Sequence, residues 1–425
     1  MSSCTLSEKQ ALRNVNYLAA LDLIISLGFG LIMPLFPMYV KLLGGGALEV
    51  GILFSSFVLT RALFATTFGN LSDKIGRKKL ILIGGFLYAF LAVLFVVPES
   101  WIGLIFVRGL QGFASAMVWP VSEALVIDSC PSTRRGESLG KLVMAANIGM
   151  VIGPFIGGGI YFAANEYLGM SEEESFKLPF YFTALISLVG AILVWVKVVD
   201  AKAPAEAKQK MTFMKLLHPD GMDRQGLVNL RVLYSNAFME GFAFAAIGPL
   251  MAYYLPARFD IEADIVAIIV GVAMGVGALI AVPSGRLSDR TSRKKLFVVG
   301  SFLSFLGVML IPFGYALWMV IIFMSLRSMA FQVASPALRA LQADTVPEQV
   351  RGRLIGMLES MSNFGSVLGA PIGGLLLDAY YGVNLGLPVI DGTMIPFFVS
   401  GGLGLITVSL VMIFVKERKS PASAA

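Results

Sequence analysis

Residues 69–80 read Gly-Asn-Leu-Ser-Asp-Lys-Ile-Gly-Arg-Lys-Lys-Leu, and residues 285–296 read Gly-Arg-Leu-Ser-Asp-Arg-Thr-Ser-Arg-Lys-Lys-Leu. Eight of these twelve positions are identical when position 69 is aligned with position 285. In the same register and without a gap, residues 120–158 match residues 336–374 at 16 of 39 positions. The chain is therefore an internal duplication, and its fold must be one that two copies of the same unit can build.

The composition of the 425 residues indicates a membrane protein. Hydrophobic residues make up 57% and charged residues 14%, whereas a soluble domain has roughly 25% charged residues. The same figures exclude disordered, coiled-coil and collagen chains. Two cysteines without metal-ligand spacing and a single histidine, His218, leave little for disulfide, zinc or histidine chemistry. We therefore expect no metal, no cofactor and no enzymatic activity.

Twelve segments are apolar over about the 20 residues that a bilayer-spanning helix needs. They are residues 17–39, 50–69, 80–97, 101–127, 142–164, 178–196, 232–256, 265–285, two arms of a hairpin within 296–338 broken near 312–314, 354–377 and 395–415. No water reaches the backbone inside a bilayer, so these segments must be helices. The repeat places six spans in each copy, and an even number returns the chain to its starting side.

The two copies should therefore be parallel and related by an axis along the membrane normal, with a site between them at the midplane. The predicted fold is an all-α membrane protein of twelve transmembrane helices in two pseudo-symmetric six-helix bundles. We predict an N-terminal bundle over residues 1–196, a cytoplasmic linker over 197–230 that contains His218, and a C-terminal bundle over 231–425.

The basic residues predict the orientation of the chain, because cytoplasmic loops carry an excess of lysine and arginine. With the N-terminus inside, 26 of the 33 lysines and arginines lie in the two tails and the inner loops. Only Lys41, Lys177 and Arg258 then lie outside. We expect a multi-pass protein of a bacterial or archaeal plasma membrane with both termini in the cytoplasm. The basic net charge of +6 then reflects topology and predicts no nucleic-acid partner.

Several motifs resemble those of the major facilitator superfamily. The stretch Gly69-x-Leu-x-Asp73-x-x-Gly76-Arg77-Lys78 is similar to the motif between its second and third helices. Residues 108–112, Arg-Gly-Leu-Gln-Gly, resemble its fourth-helix motif, and residues 149–158 resemble the fifth-helix motif of its antiporters. Residues 27–34 look like the first helix of its twelve-span drug:proton antiporters. The second half departs from these patterns, since Ser292, Ala370 and Met324 replace Gly76, Pro154 and Arg108.

The first motif predicts a cytoplasmic gate. Its acidic and basic residues recur in register in the second half, and an arginine can bridge two carboxylates with its planar guanidinium group. The resemblance implies that this cluster latches the cytoplasmic side in the outward-facing state. The alternative is a static basic loop that only sets topology. The predicted gate residues are Gly69, Asp73, Gly76, Arg77, Asp128, Asp289, Arg293 and Asp344.

The antiporter-like helix carries Gly149, Gly153, Pro154, Gly157 and Gly158. Glycines four residues apart lie on one helix face and allow close approach of another backbone. The resemblance implies that this face packs against the other half and limits proton leak. Plain helix packing is an equally good interpretation, and the two are compatible.

Ionisable residues within membrane spans are costly, so each is a candidate for function. The predicted proton-coupling and substrate residues are Asp22, Arg61, Arg108, Glu123, Asn236, Glu240, Arg327, Glu359 and Asn363. Burial favours the neutral form of a carboxyl group, which can then carry a proton. We prefer Glu240 and Asp22 as proton carriers and Arg61 and Arg108 as modulators of their charge. Static pairing between helices is the alternative for each residue.

Together these features predict a secondary active transporter that exchanges protons for a hydrophobic or amphipathic small molecule by alternating access, as in multidrug efflux. Two alternatives remain open. One is proton-coupled transport of a polar metabolite such as a sugar or an organic anion. The other is a membrane sensor that kept the fold and lost transport. We expect a monomer in the lipid bilayer, since two joined halves already form a pathway.

Overall fold

The computed structural model describes residues 8–131, 134–201, 222–345, 351–383 and 392–417. Within these ranges the regular structure is helical, with no strand and with fourteen α-helices. The first seven are α1 (Glu8–Ile32), α2 (Phe36–Leu42), α3 (Ala47–Ile75), α4 (Arg77–Leu94), α5 (Trp101–Ser129), α6 (Arg135–Phe162) and α7 (Glu172–Lys197). The second seven are α8 (Arg224–Ile247), α9 (Met251–Phe259), α10 (Ala263–Arg290), α11 (Arg293–Leu310), α12 (Leu317–Thr345), α13 (Arg351–Tyr380) and α14 (Ile395–Phe414).

Twelve of these helices are long, as predicted, and α2 and α9 are short. Ten spans are long and apolar enough to cross a membrane, with α8 and α9 counted as one. The other two long helices are α4, which begins on three consecutive basic residues, and α13, which carries four charged residues. The predicted hairpin is confirmed, because a 3-10 turn at Ile311–Phe313 separates α11 from α12. The all-α membrane fold is therefore confirmed.

The internal repeat extends to the ends of the helices. In the register that aligns position 69 with position 285, α12 begins and ends at the counterparts of the two ends of α5. Helix α11 stands in the same relation to α4. Helices α8 and α13 begin at the counterparts of the first residues of α1 and α6. The duplication of sequence is therefore also a duplication of secondary structure.

The chain divides into two compact units. One contains residues 1–207 with 249–271, and the other contains residues 208–248 with 272–425. In the first, α1 packs on α6 and α7, and α4 packs on α5 and α7. In the second, α8 packs on α13 and α14, and α11 packs on α12 and α14. The predicted boundaries at 196 and 230 stay a prediction, and linker residues 202–221 with His218 lie outside the described residues.

Two spans predicted as continuous each consist of two helices. Residues 17–39 contain the end of α1 at Ile32 and the start of α2 at Phe36, with Pro34 between them. Residues 232–256 break in the same way between α8 and α9, where Pro249 follows Gly248. Proline lacks the N–H that a helix interior needs, so it favours a break at both places.

The glycine face of α6 packs against α1 of the same half. A Cβ atom on Gly149, Gly153 or Gly157 would overlap backbone atoms of α1. The second half repeats the contact, with Gly365, Gly369 and Gly373 against the backbone of α8. The resemblance implied packing against the other half, and this was wrong for these three residues. Glycine is needed here because two helix backbones lie in direct contact.

Gly158 has different neighbours, since it lies one residue further round α6 and is buried. A Cβ atom on it would lie 2.9 Å from the Cβ of Ala267 and 3.2 Å from the carbonyl oxygen of Asp264, both in the first turns of α10. Pro154 is also buried within α6. Of the predicted motif residues, Gly158 is therefore the one that contacts the start of α10.

We expect Gly153→Val to destabilise the protein strongly. Its Cβ atom would lie 2.6 Å from the backbone nitrogen of Leu31, and a backbone cannot give way as a flexible side chain can. Overpacking typically costs about 1–3 kcal/mol. The measurement is the melting temperature in detergent. Gly159→Val on the same helix is the matched control, because no atom lies within 4 Å of its Cβ position. Equal melting temperatures for the two variants would contradict the packing.

Candidate functional site

The predicted gate residues of the first half meet in one cluster. The Arg77 guanidinium lies 3.0 Å from a carboxylate oxygen of Asp73 and also binds Asp128 at the end of α5. It donates a further hydrogen bond to the Ser72 hydroxyl at 3.2 Å. The side chains of Arg77 and Asp128 are only 11% and 10% exposed. Arg77 therefore ties the turn between α3 and α4 to the end of α5.

The second half contains the corresponding pair. Arg293 at the start of α11 binds Asp344 near the end of α12, with the same separation of 51 residues as between Arg77 and Asp128. The two side chains are 28% and 33% exposed, so this pair is more exposed to solvent than the Arg77–Asp128 pair. The side chain of Asp289 lies outside the described residues.

The two predicted gate glycines differ. Gly76 adopts φ of +102° between α3 and α4, a backbone conformation that favours glycine, and a Cβ atom there would overlap the carboxylate of Asp200. Gly69 has no atom within 4 Å of its Cβ position. Gly76 is therefore required by the turn, and the structure gives no steric reason for a glycine at position 69.

Two carboxylates that were not predicted from the sequence cap the N-termini of α4 and α11. Asp200 follows α7 and accepts a hydrogen bond from the backbone N–H of Lys78 at 3.3 Å. Glu417 follows α14 and accepts from the backbone N–H of Arg293 at 2.9 Å and from the Ser292 hydroxyl at 2.6 Å. Each acid lies at the N-terminus of a helix, where a negative charge is stabilising. Their shared position just after the last helix of each half was the available signal.

Two buried asparagines, Asn14 and Asn229, hold the same segments. Asn14 on α1 donates to the carbonyl of Val199 at 2.7 Å and accepts from its N–H at 3.0 Å. Asn229 on α8 makes the same pair of bonds with Lys416, at 2.8 and 3.0 Å. The chain leaving each bundle is therefore fixed to the first helix of that bundle.

Glu240 and Arg327 line one small cavity inside the second half. Its walls come from α8, α11, α12 and α14, and include the hydroxyls of Ser301, Ser304 and Ser400. The volume is about 20 Å³, which is enough for a water molecule. Asn236, one turn before Glu240, donates a hydrogen bond to its carboxylate at 3.3 Å. The structure therefore unites three of the predicted coupling residues and adds three serines that sequence analysis missed.

The charges in this cavity are not directly paired. The structure records no ion pair between Glu240 and Arg327, and Arg327 Nε has no hydrogen-bond partner in the described part of the chain. A buried guanidinium or carboxylate is costly unless hydrogen bonds compensate it. The arrangement therefore favours a neutral Glu240 or a water molecule between the two groups.

Arg108 is enclosed by aromatic rings. Its guanidinium carbon lies 4.9 Å from the ring centres of Phe36 and Phe57 and 5.3 Å from that of Phe29. Its Nη1 donates to the side chain of Gln111, one turn later on α5. Of the two predicted coupling residues on α5, Arg108 is buried and Glu123 is exposed.

The other predicted residues of the first half lie on α1, α3 and α5. Asp22 is buried on α1 with Oδ1 unpartnered among the described residues. Arg61 on α3 stacks over the ring of Trp119, 4.9 Å from its centre. Of the two predicted acids of this half, Asp22 is therefore buried and Glu123 is exposed.

Glu359 and Asn363 lie on the exposed part of α13. Neither is among the residues that line the Glu240 cavity. Of the nine predicted coupling residues, the structure thus brings together Asn236, Glu240 and Arg327.

A match to a family model shows which protein family the chain belongs to. The model described as Major Facilitator Superfamily matches residues 18–237 and 233–425. The chain belongs to the major facilitator superfamily. As a member of this superfamily it is a multi-pass membrane transporter of small molecules.

Relatives of the superfamily align over most of the chain. A quinolone resistance protein, NorA of Staphylococcus aureus, is 24% identical over 399 residues, which are 93% of this chain and 95% of NorA. An uncharacterized transporter of the superfamily from Methanocaldococcus jannaschii is 26% identical over 359 residues, 83% of this chain and 88% of that protein. Identities of 24–26% show that these proteins share the superfamily, and they do not identify the substrate of this chain.

Solved structures of the superfamily share the fold. A bacterial homolog of the human lysosomal transporter Spinster, inward-facing and unoccupied, has a TM-score of 0.79 at 15% identity and covers 98% of this chain and 100% of its own. A D-xylose–proton symporter has a TM-score of 0.74 at 14% identity and covers 96% and 98%. At these identities both structures show a shared fold and no shared substrate.

Proposed function

We propose that the protein is a proton-coupled exporter that exchanges protons for hydrophobic or amphipathic small molecules. The observation that carries this proposal is the cavity that Glu240 shares with Arg327. An acid that is neutral in a dry site can lose its proton when water or a cationic substrate group arrives. Arg327 then stabilises the carboxylate that remains.

The first half supports the proposal with Asp22, a second buried acid with an unpartnered oxygen among the described residues. One charge crossing 100 mV contributes about 2.3 kcal/mol, and one pH unit contributes roughly 1.4 kcal/mol. A single proton could therefore drive export against a gradient of several hundred-fold. The distant relative NorA is named for quinolone resistance, and this supports the proposal of a drug-like substrate for the present protein.

The remaining features of the proposal follow from topology and composition. We place the protein in the plasma membrane with both termini in the cytoplasm, as the distribution of lysine and arginine predicts. It acts as a monomer, without a cofactor and without enzymatic activity. The Arg77 and Arg293 clusters act on conformation, as a cytoplasmic gate, and do not bind substrate.

A second candidate function is proton-coupled transport of a polar metabolite. The hydroxyls of Ser301 and Ser304 in the Glu240 cavity favour it, because hydroxyls can bind a polar substrate once this water-sized cavity widens during transport. The fold is shared with a D-xylose–proton symporter, which supports the same interpretation.

The test uses purified protein in liposomes with an acidic lumen and a lumenal pH indicator. Lipophilic cations, neutral drugs, sugars and organic anions are added one at a time. For the proposed exporter, a lipophilic compound releases protons from the lumen. If a sugar or an organic acid instead enters the lumen together with protons, the protein is a symporter and the export proposal is wrong. Silence over the whole panel would overturn both and favour a sensor.

A further inference from the structure

The aromatic surroundings of Arg108 contain no negative charge. Three phenylalanine rings and the amide of Gln111 surround the guanidinium, and no acidic side chain within the described ranges pairs with it. The side chain is 5% exposed, and its Nε has no hydrogen-bond partner in that part of the chain. An aromatic face attracts a cation through its quadrupole but carries no net charge. Arg108 therefore keeps a full positive charge that no described carboxylate neutralises.

Arg77, in the same half, is an arginine whose charge is neutralised by carboxylates. It contacts two carboxylates, Asp73 and Asp128. An arginine that serves only to join helices would be expected to have such partners, because a buried charge is usually paired. The charge of Arg108, enclosed by rings, therefore serves a different purpose.

The position of Arg108 places this charge near one end of the bundle. It lies seven residues into α5 from Trp101, or roughly 10 Å at 1.5 Å per residue. Arg108 lines a cavity of about 20 Å³ together with Pro37 and Pro249, which lie next to the breaks between α1 and α2 and between α8 and α9. The predicted topology puts this end outside the cell, where protons would enter such a water-sized space.

We propose that Arg108, held by Phe29, Phe36 and Phe57, is an electrostatic barrier that stops protons and other cations from leaking in from the outer side. A fixed positive charge in a narrow, weakly hydrated passage repels cations, as arginines do in proton-excluding pores. The rings hold the charge in place and leave it unneutralised. This role needs no substrate, so it stands or falls separately from the proposed export.

The test measures proton entry into proteoliposomes without substrate, under a potassium diffusion potential that is negative inside. We expect Arg108→Met to raise the entry rate roughly tenfold. Met324 occupies the position of α12 that the repeat aligns with Arg108, so methionine suits this helix. Arg108→Lys keeps the charge and should leak like the parent protein. Arg224→Met, which removes an exposed arginine at the start of α8, is the matched control and should not leak.

Arg108→Gln repeats the test if the methionine variant does not fold, since glutamine keeps a polar group beside Gln111. Parent-like proton entry in both uncharged variants overturns the barrier. Equal leak in Arg108→Lys and Arg108→Met overturns it as well, because the charge would then not be the cause. If proton entry is unchanged and binding of acidic compounds alone weakens, Arg108 is a substrate contact and the proposal is wrong.

Discussion

Glu240→Gln abolishes the release of protons that follows addition of a transported compound, while the compound still binds. Glutamine has nearly the same shape and keeps an oxygen that can accept the hydrogen bond from Asn236. It cannot take up or lose a proton. We expect proton release to fall to the level of liposomes without protein, measured with the lumenal pH indicator. Binding is followed separately by isothermal titration calorimetry.

Glu173→Gln is the control for this experiment. Glu173 forms an exposed ion pair with Lys177 at 2.6 Å on α7, and such surface pairs contribute less than about 1 kcal/mol. Its removal should leave proton release unchanged. If Glu240→Gln released protons at the parent rate, Glu240 would not be the carrier and Asp22 would be tested next.

Arg77→Gln should shift the protein towards the state that is open on the cytoplasmic side. It leaves Asp73 and Asp128 close together without the cation that holds them, and breaking a buried ion pair typically costs about 3–5 kcal/mol. The shift is measured by pulsed dipolar spectroscopy between spin labels at Gly140 and Gly356. These are repeat-related positions with no atom within 4 Å of a Cβ. Cys4 and Cys130 are first replaced by alanine.

We expect a graded response among the gate variants. Arg293→Gln should shift the distance distribution less than Arg77→Gln, because its pair with Asp344 is more exposed. Asp73→Asn should also have a smaller effect, since Asp128 still holds Arg77. Identical distributions for Arg77→Gln and the parent protein would remove the gate role of the cluster.

Sequence reasoning was strongest where it rested on the repeat. The repeated Asp-x-x-x-Arg pattern and the separate repeat of Asp128 as Asp344 predicted a cluster of Asp73, Arg77 and Asp128, and the structure brings these residues together. The twelve long helices and the break at Ile311–Phe313 were also predictable from apolar segments and proline. Both inferences depend on properties that are local or duplicated in the sequence.

It was weakest where a partner belongs to the backbone or to another helix. Asp200 and Glu417 bind backbone N–H groups at the starts of α4 and α11, and an acid just after the last helix of each half was the one sign of them in the sequence. That Glu240 and Arg327 share a cavity depends on the rotation of α8 relative to α12, which the sequence does not contain. The apolar pattern also missed the first turn of α7, which starts at Glu172 and is closed by the Ser171–Glu174 capping box.

The attachment of Lys416 to Asn229 and of Glu417 to α11 has a practical consequence for engineering the C-terminus. A truncation or a fused reporter that begins at Val415 would remove Glu417, whose carboxylate caps the N-terminus of α11. It would also remove the hydrogen bonds between Lys416 and Asn229 of α8. One that begins at residue 418 leaves both attachments in place. The permissible cloning junction is thus set by two residues that follow the last membrane helix.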